Sequence, residues 1–348
     1  MNRRDFLQHT LSAGTVSFML GGFTVKAYGR TPLLDALLSA ADVDRVLVLV
    51  QLIGGNDGLN MVIPLDQYPQ LMAARSNIVV DQTKVLQLTA ATGLHPAMTG
   101  FQGLYGAGQL TVIQGVSYPN PNFSHFRATD IWLTGADYNQ ILDTGWLGRY
   151  LEQEFPGYPG GYPSTTAPDP LGIQIGSAVT PALDGDSVSM GLAITNPNSS
   201  YILPGGSDAP PATPAGHELT FVREVAQQAQ AYGSSIKTAA GKATNLSTKY
   251  PAKGTNPLAD QLRIVAQLIA GGLRTRLYVV NLGGFDTHSA QVVGTDTSTG
   301  AHAKLLGQLS DGITAFMDDI TLLGVASKVI GMTFSEFGRR IKSNASLG

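Results

Sequence analysis

Four stretches of this chain are apolar at nearly every position rather than at every second one: residues 45–52, 109–115, 276–282 and 328–334. A strand with one wet face alternates apolar and polar residues. A strand covered on both faces does not, and covering both faces is the habit of parallel sheets. Residues 171–176 form a shorter, weaker candidate of the same kind. Helical patterns lie between these runs. Asn256-Pro257 reads as a cap followed by proline at the first helical position. Beyond it Leu258, Leu262, Val265, Leu268 or Ile269, and Leu273 make one apolar stripe, and a second runs through Leu305, Leu306, Leu309, Ile313, Phe316, Met317 and Ile320. Shorter helices are expected near 95–105, 124–133 and 217–231. Strands alternating with helices predict an α/β fold, a mostly parallel sheet with helices on both faces.

Residues 155–215 break this rhythm. They are crowded with Pro, Gly, Ser and Thr, as in "FPGYPGGYPSTTAPDP". This composition predicts a long, loop-rich insertion: either a surface excursion capping the sheet edge, with one or two short strands, or a disordered segment.

Each strong apolar run stops at a polar loop. In open α/β sheets ligands bind beyond the carboxyl ends of the strands, so these loops are where chemistry is expected. "LVLVQLIGGNDGLN" ends in Gly54-Gly55-Asn56-Asp57, and "LYVVNLGGFDTH" ends in Gly283-Gly284-Phe285-Asp286-Thr287-His288. The second run leads to Ser124, His125, Arg127 and Asp130, and the fourth to Glu336, Arg339 and Arg340. Each loop alone has a plain structural reading. Asn56-Asp57-Gly58 makes an ordinary turn, Asp286 a helix cap, and Glu336 a partner for Arg339 or Arg340. His95, at a helix start, reads as structural, and His217 and His302 read as surface or helix-entry residues. Together, Asp57, Asp286, His288 and Glu336 are oxygen and imidazole ligands suited to a divalent ion, with zinc, calcium, magnesium and manganese all open. Ser124 beside it would be a metal-activated nucleophile, with His125 and Arg127 as neighbouring catalytic groups.

Composition closes off other classes. The net charge of −3 speaks against a nucleic-acid binder, and the absence of cysteine removes disulfides, thiolate metal sites and cysteine nucleophiles. Only 14% of residues are charged, against roughly 25% in an average soluble protein. "GGND" also matches a block of the lipase-like hydrolases with Gly-Asp-Ser nucleophiles. Here, however, Gly185-Asp186-Ser187 follows that block instead of preceding it, and no histidine has Asp three residues before it.

The first 29 residues read as a targeting segment. Arg3-Arg4 precede Phe6-Leu7, an uncharged, mostly apolar stretch runs over 11–25, and Ala27-Tyr28-Gly29 offers small residues for cleavage. The apolar stretch is too short and glycine-broken for a stable membrane span. The expectation is a twin-arginine signal over 1–29, one α/β domain over 30–348, and an exported protein of the periplasm or cell surface.

The blocks "NRRDFL", "LVLVQLIGGNDGLNMVIPL", "LHPAM", "NFSHFRATDIW", "NLGGFDTH" and "MTFSEFGRR", in this order, resemble the unknown-function domain family 1501, exported bacterial proteins with a twin-arginine signal. That family looks like a branch of the alkaline phosphatase and sulfatase superfamily. The resemblance implies an alkaline-phosphatase-like parallel sheet, one or two divalent metals, and hydrolysis of phosphate or sulfate esters. Asp57 matches the superfamily's first metal aspartate, Asp286 and His288 resemble its later Asp and His ligands, and Ser124 falls where its nucleophile loop would be. Glu336 stands where the superfamily has Asp followed by His, and the next residue here is Phe337. Family members continue past "SNASLG", so a truncated C-terminus is expected. The alternative reading is a non-catalytic exported protein whose carboxylates hold a structural ion and whose Pro/Gly-rich insertion contacts a glycan or partner.

Overall fold

The computed structural model describes residues 15–20, 23–28, 45–198, 211 and 213–348. The chain divides into two compact units, Met1–Arg45 and Val46–Gly348. In the first, β1 (Thr15–Leu20) pairs antiparallel with β2 (Phe23–Tyr28). The targeting segment expected over 1–29 otherwise lies outside the described residues.

The second unit is an α/β structure. Its central sheet has the order β10-β3-β9-β7-β8, from β3 (Val46–Ile53), β7 (Gly172–Ile175), β8 (Gly191–Ile194), β9 (Leu277–Gly283) and β10 (Val329–Ser335), and every pairing in it is parallel. The continuous apolar runs are explained by where their side chains go. Along β3, Val46, Val48, Val50 and Leu52 enter one core cluster, while Leu49 enters a second. Along β9, Tyr278, Val280 and Leu282 join the first and Leu277 and Val279 the second. The first cluster is roofed by the helices Pro257–Ala270 and Ala301–Leu322, the second by Leu147 and Leu151 of the helix Trp146–Glu154. Asn256 caps its helix as its position predicts, accepting from the N–H groups of Leu258 and Ala259. A small antiparallel sheet, β4 (Val62–Pro64), β6 (Thr92–Leu94) and β5 (Leu86–Gln87), stands beside the main one. Among the described residues no helix is long and apolar enough to cross a membrane.

One strand expectation fails, and one burial expectation: β10 is parallel as expected, but residues 330–333 of it are exposed. Residues 109–115 form no strand: the stretch is irregular and exposed, with Ile113 70% exposed. Apolar continuity signals a preference for burial, but a strand also needs a neighbour for its N–H and C=O groups, and among the described residues none pairs with this one. The weaker strand candidate over 171–176 holds as β7, and the 155–215 insertion carries the short strands expected of it. It supplies β7 and β8 to the main sheet, so its middle is core. Residues 199–210 and 212 lie outside the described residues.

Candidate functional site

β3, β9 and β10 are adjacent and parallel, so the loops that follow them leave the same edge of the sheet. Contact between the loops explains their glycines. Gly54 has φ +120°, and a Cβ there would lie 2.4 Å from the backbone nitrogen of Asp286. A Cβ on Gly55 would lie 2.4 Å from the Phe337 ring. Only glycine lets the first loop turn this sharply and still pass both neighbours.

In the third loop the Thr287 N–H donates back to the Phe285 carbonyl at 2.8 Å, a three-residue turn with Asp286 at its centre. Phe285 and Thr287 are buried, whereas the Asp286 and His288 side chains are 44% and 73% exposed. Asp286 and His288 therefore share one face, with His288 Nε2 2.8 Å from Asp286 Oδ1. His125, the first residue of the helix His125–Thr134, brings its Nε2 to 3.5 Å from the same oxygen. The ligand atoms of His125, Asp286 and His288 all lie within 4.8 Å of one another. Two imidazoles and a carboxylate on an open face form a donor set suited to a divalent transition metal with a position left over.

Glu336 does not join that trio directly. It is buried, and its Oε1 lies 2.9 Å from His125 Nδ1 while also accepting from Gly54 N–H at 2.8 Å. A carboxylate on one ring nitrogen fixes the imidazole so that the other nitrogen faces the ligand. Burial pushes the Glu336 carboxyl pKa up. Its hydrogen bonds to His125 and to the backbone of Glu336, Gly54 and Gly55 outweigh that and hold it below the ordinary value. Asp286 is also held low: slight burial raises it, and the Arg339 hydrogen bond with the His288, His125 and Arg339 charges lowers it further. The expected pairing of Glu336 with Arg339 or Arg340 gives way to this arrangement, because Arg339 donates instead to Asp286 Oδ1 at 2.6 Å.

Asp57, expected among the metal ligands, stands outside the trio. It is 1% exposed and its carboxylate is already engaged. Arg75 grips both oxygens, and Gln291 Nε2 donates to Oδ2 at 2.6 Å. Gln291 Oε1 in turn accepts from the Thr287 hydroxyl at 2.9 Å. Asp57 thus ties down the residue between Asp286 and His288. His302 enters the helix Ala301–Leu322, one of the two places expected of it, but is buried rather than on the surface, and its Nε2 meets Asn56 Oδ1 at 2.9 Å. Burial lowers its pKa to about 4, and burial with the nearby His302 lowers that of His95 to about 4 as well.

Ser124 is exposed immediately before His125, at the N-cap of that helix, and its side chain makes no cap hydrogen bond. Arg127 is turned to structural work. It pairs with Asp130 and donates to the carbonyls of Tyr138 and Gln140, fixing the loop after its helix. The sequence pattern offered Arg339 only as a partner for Glu336 and gave no sign of Gln291 or Arg75. For Arg339 a signal existed in its position three residues beyond Glu336, but its partner comes from another strand's loop.

Residues 212–348 match the model of a protein family described as "Protein of unknown function (DUF1501)". The matched stretch contains Asp286, His288, Glu336 and Arg339 and supports the resemblance to that family over these residues. Comparison with curated proteins and with solved structures gives no match.

Proposed function

We propose that this protein is an exported, metal-dependent hydrolase of phosphate or sulfate esters, with its ion held by His125, Asp286 and His288. The observation that carries the reading is the convergence of His125 Nε2, His288 Nε2 and Asp286 Oδ1, with Glu336 on the far nitrogen of His125. Two imidazoles favour zinc over calcium or magnesium, which prefer all-oxygen shells. When bound, such an ion offsets the negative charge that builds on a phosphoryl or sulfuryl group. The chain's own residues do the rest. Glu336 keeps His125 in one orientation, the Asp57–Gln291–Thr287 chain keeps Asp286 and His288 on one face, and Ser124 supplies an exposed hydroxyl as nucleophile. The exposure of Asp286 and His288 favours this over a structural ion, since structural sites are closed by four protein ligands.

Export rests on Arg3-Arg4 ahead of Phe6-Leu7, and the twin-arginine machinery is the partner it implies. Changing both arginines to lysine is expected to leave the precursor in the cytoplasm, and normal export of that variant rejects this part. For the chemistry, the metal content of the purified protein is measured beside a panel of aryl phosphate, phosphodiester and sulfate esters. Bound zinc or manganese with cleavage of one ester class is the expected result. Bound metal without any cleavage replaces this reading with the structural-ion one.

A further inference from the structure

Resting on the cation site just described, we propose that Arg339 occupies that site's carboxylate when no cation is there, and that cation binding releases it to hold the anionic group of the ester. Arg339 Nη1 donates to Asp286 Oδ1 at 2.6 Å. The same oxygen is the one that both His125 Nε2 and His288 Nε2 approach. A cation between both imidazoles meets that oxygen first, so the guanidinium and the cation are set to compete for one atom. Two positive groups cannot share it without strong repulsion at this range.

The released guanidinium is not free to leave the site. Its side chain is only 12% exposed, and the Gly54 carbonyl lies 3.4 Å from Nη1. It stays beside the cation as a second positive group, with a fork that fits two oxygens of a phosphate or sulfate. The one arginine thus neutralises Asp286 in the resting protein and recognises the substrate in the loaded one. Cation and anion then bind in a fixed order, because the anion contact becomes available only after the exchange.

The test titrates manganese(II) into chelator-treated full chain, then inorganic phosphate into the manganese-loaded protein, by calorimetry. Wild type is compared with Arg339→Ala and with Arg340→Ala, which removes the same charge from the next position. Arg339→Ala is expected to bind manganese roughly five- to tenfold more tightly, the scale of a lost partly exposed ion pair. Once loaded, it should bind phosphate at least about tenfold more weakly. Arg340→Ala should match wild type in both titrations. Arg339→Gln, which keeps a side-chain donor without the charge, should fall between Arg339→Ala and wild type, and serves if the alanine variant does not fold. If the variants bind manganese no more tightly than wild type, or bind phosphate equally well, the exchange is overturned while the cation site stands. If wild type itself binds no manganese or zinc, the hydrolase reading and the exchange fall together.

Discussion

Gly54-Gly55-Asn56-Asp57 and Gly283-Gly284-Phe285-Asp286 leave adjacent parallel strands with nearly the same spelling. Their carboxylates differ in every physical respect. Asp57 is sealed in and shared between Arg75 and Gln291. Asp286 stands at the surface among His125, His288 and Arg339. The residue before each is buried, Asn56 against His302, Met61 and Ser335 and Phe285 in the core, so the difference lies after them: Asp57 turns inward at the start of the helix Gly58–Met61, while Asp286 stays outside. A repeated sequence pattern therefore yields one carboxylate that holds the fold and one that is open to a ligand.

The largest expected effect separates the two directly. Asp57→Asn leaves the Arg75 charge buried without its partner, and breaking a buried pair in this way costs about 3–5 kcal/mol. Asp286→Asn removes surface interactions, so its stability change should stay within about 1 kcal/mol. Its loss should appear instead in cation binding. Urea unfolding of both variants checks the contrast, and equal destabilisation would erase the distinction between the loops.

The glycines repeat the contrast on a smaller scale. Gly54→Ala drives a methyl into the backbone of Asp286 at a positive φ, with an expected cost on the order of 3 kcal/mol. Gly284 also has positive φ, but a Cβ there meets only the tip of Leu305 at 3.5 Å. Gly284→Ala should cost roughly 1 kcal/mol. Thermal unfolding ranks the two, and a reversed order would mean that the first loop can relax away from the third.

Acid should attack the Asp57 side first. Buried His95 and His302 have folded pKa values of about 4, below the ordinary 6.5. The unfolded chain therefore takes up protons at these sites from about pH 6.5 downward, and the folded chain only near 4. Stability is fully present above about pH 6.5 and falls as pH drops from there toward 4. The depressed carboxyls of Glu336 and Asp286 add a loss only below their unfolded values, at lower pH. Melting temperature followed from pH 7 to pH 4 should decline across that window, and His302→Gln should flatten the decline. An unchanged slope in that variant would remove His302 from the account.

Much of this was readable from residue pattern, and the limits have physical causes. β3 and β9 were legible because burial on both faces forces continuous apolar runs, and β10 showed the same pattern although most of it is exposed. Asp286 and His288 were legible as candidates because they directly follow an apolar run, at the carboxyl end of a strand in a parallel sheet. β8 was not legible, being four residues long within a Pro/Gly-rich stretch. Residues 109–115 misled for the opposite reason, since their pattern is strand-like but no described strand pairs with them. The fate of Asp57 was out of reach. It depends on Gln291, 234 residues away, and on an arginine whose burial nothing local announces.

The smallest expected effect is at Ser124, and it carries the most about mechanism. Its side chain is exposed and makes no cap hydrogen bond, so Ser124→Ala removes little that the fold uses. Surface substitutions of this kind usually stay within about 0.5 kcal/mol. His125 is held from its other side by Glu336, so the cation trio should keep its geometry and its manganese affinity. If Ser124 is the nucleophile, turnover of the ester that wild type cleaves should fall by orders of magnitude while melting temperature and metal binding stay put. Asp286→Asn should do the reverse in part, losing metal and turnover together. Full activity of Ser124→Ala would assign the attack to another group, such as a water, and would leave the trio as the site's only chemical component. Loss of metal binding in Ser124→Ala would instead mean that the hydroxyl supports His125, and the division between a holding loop and an open loop would need to extend to the start of that helix.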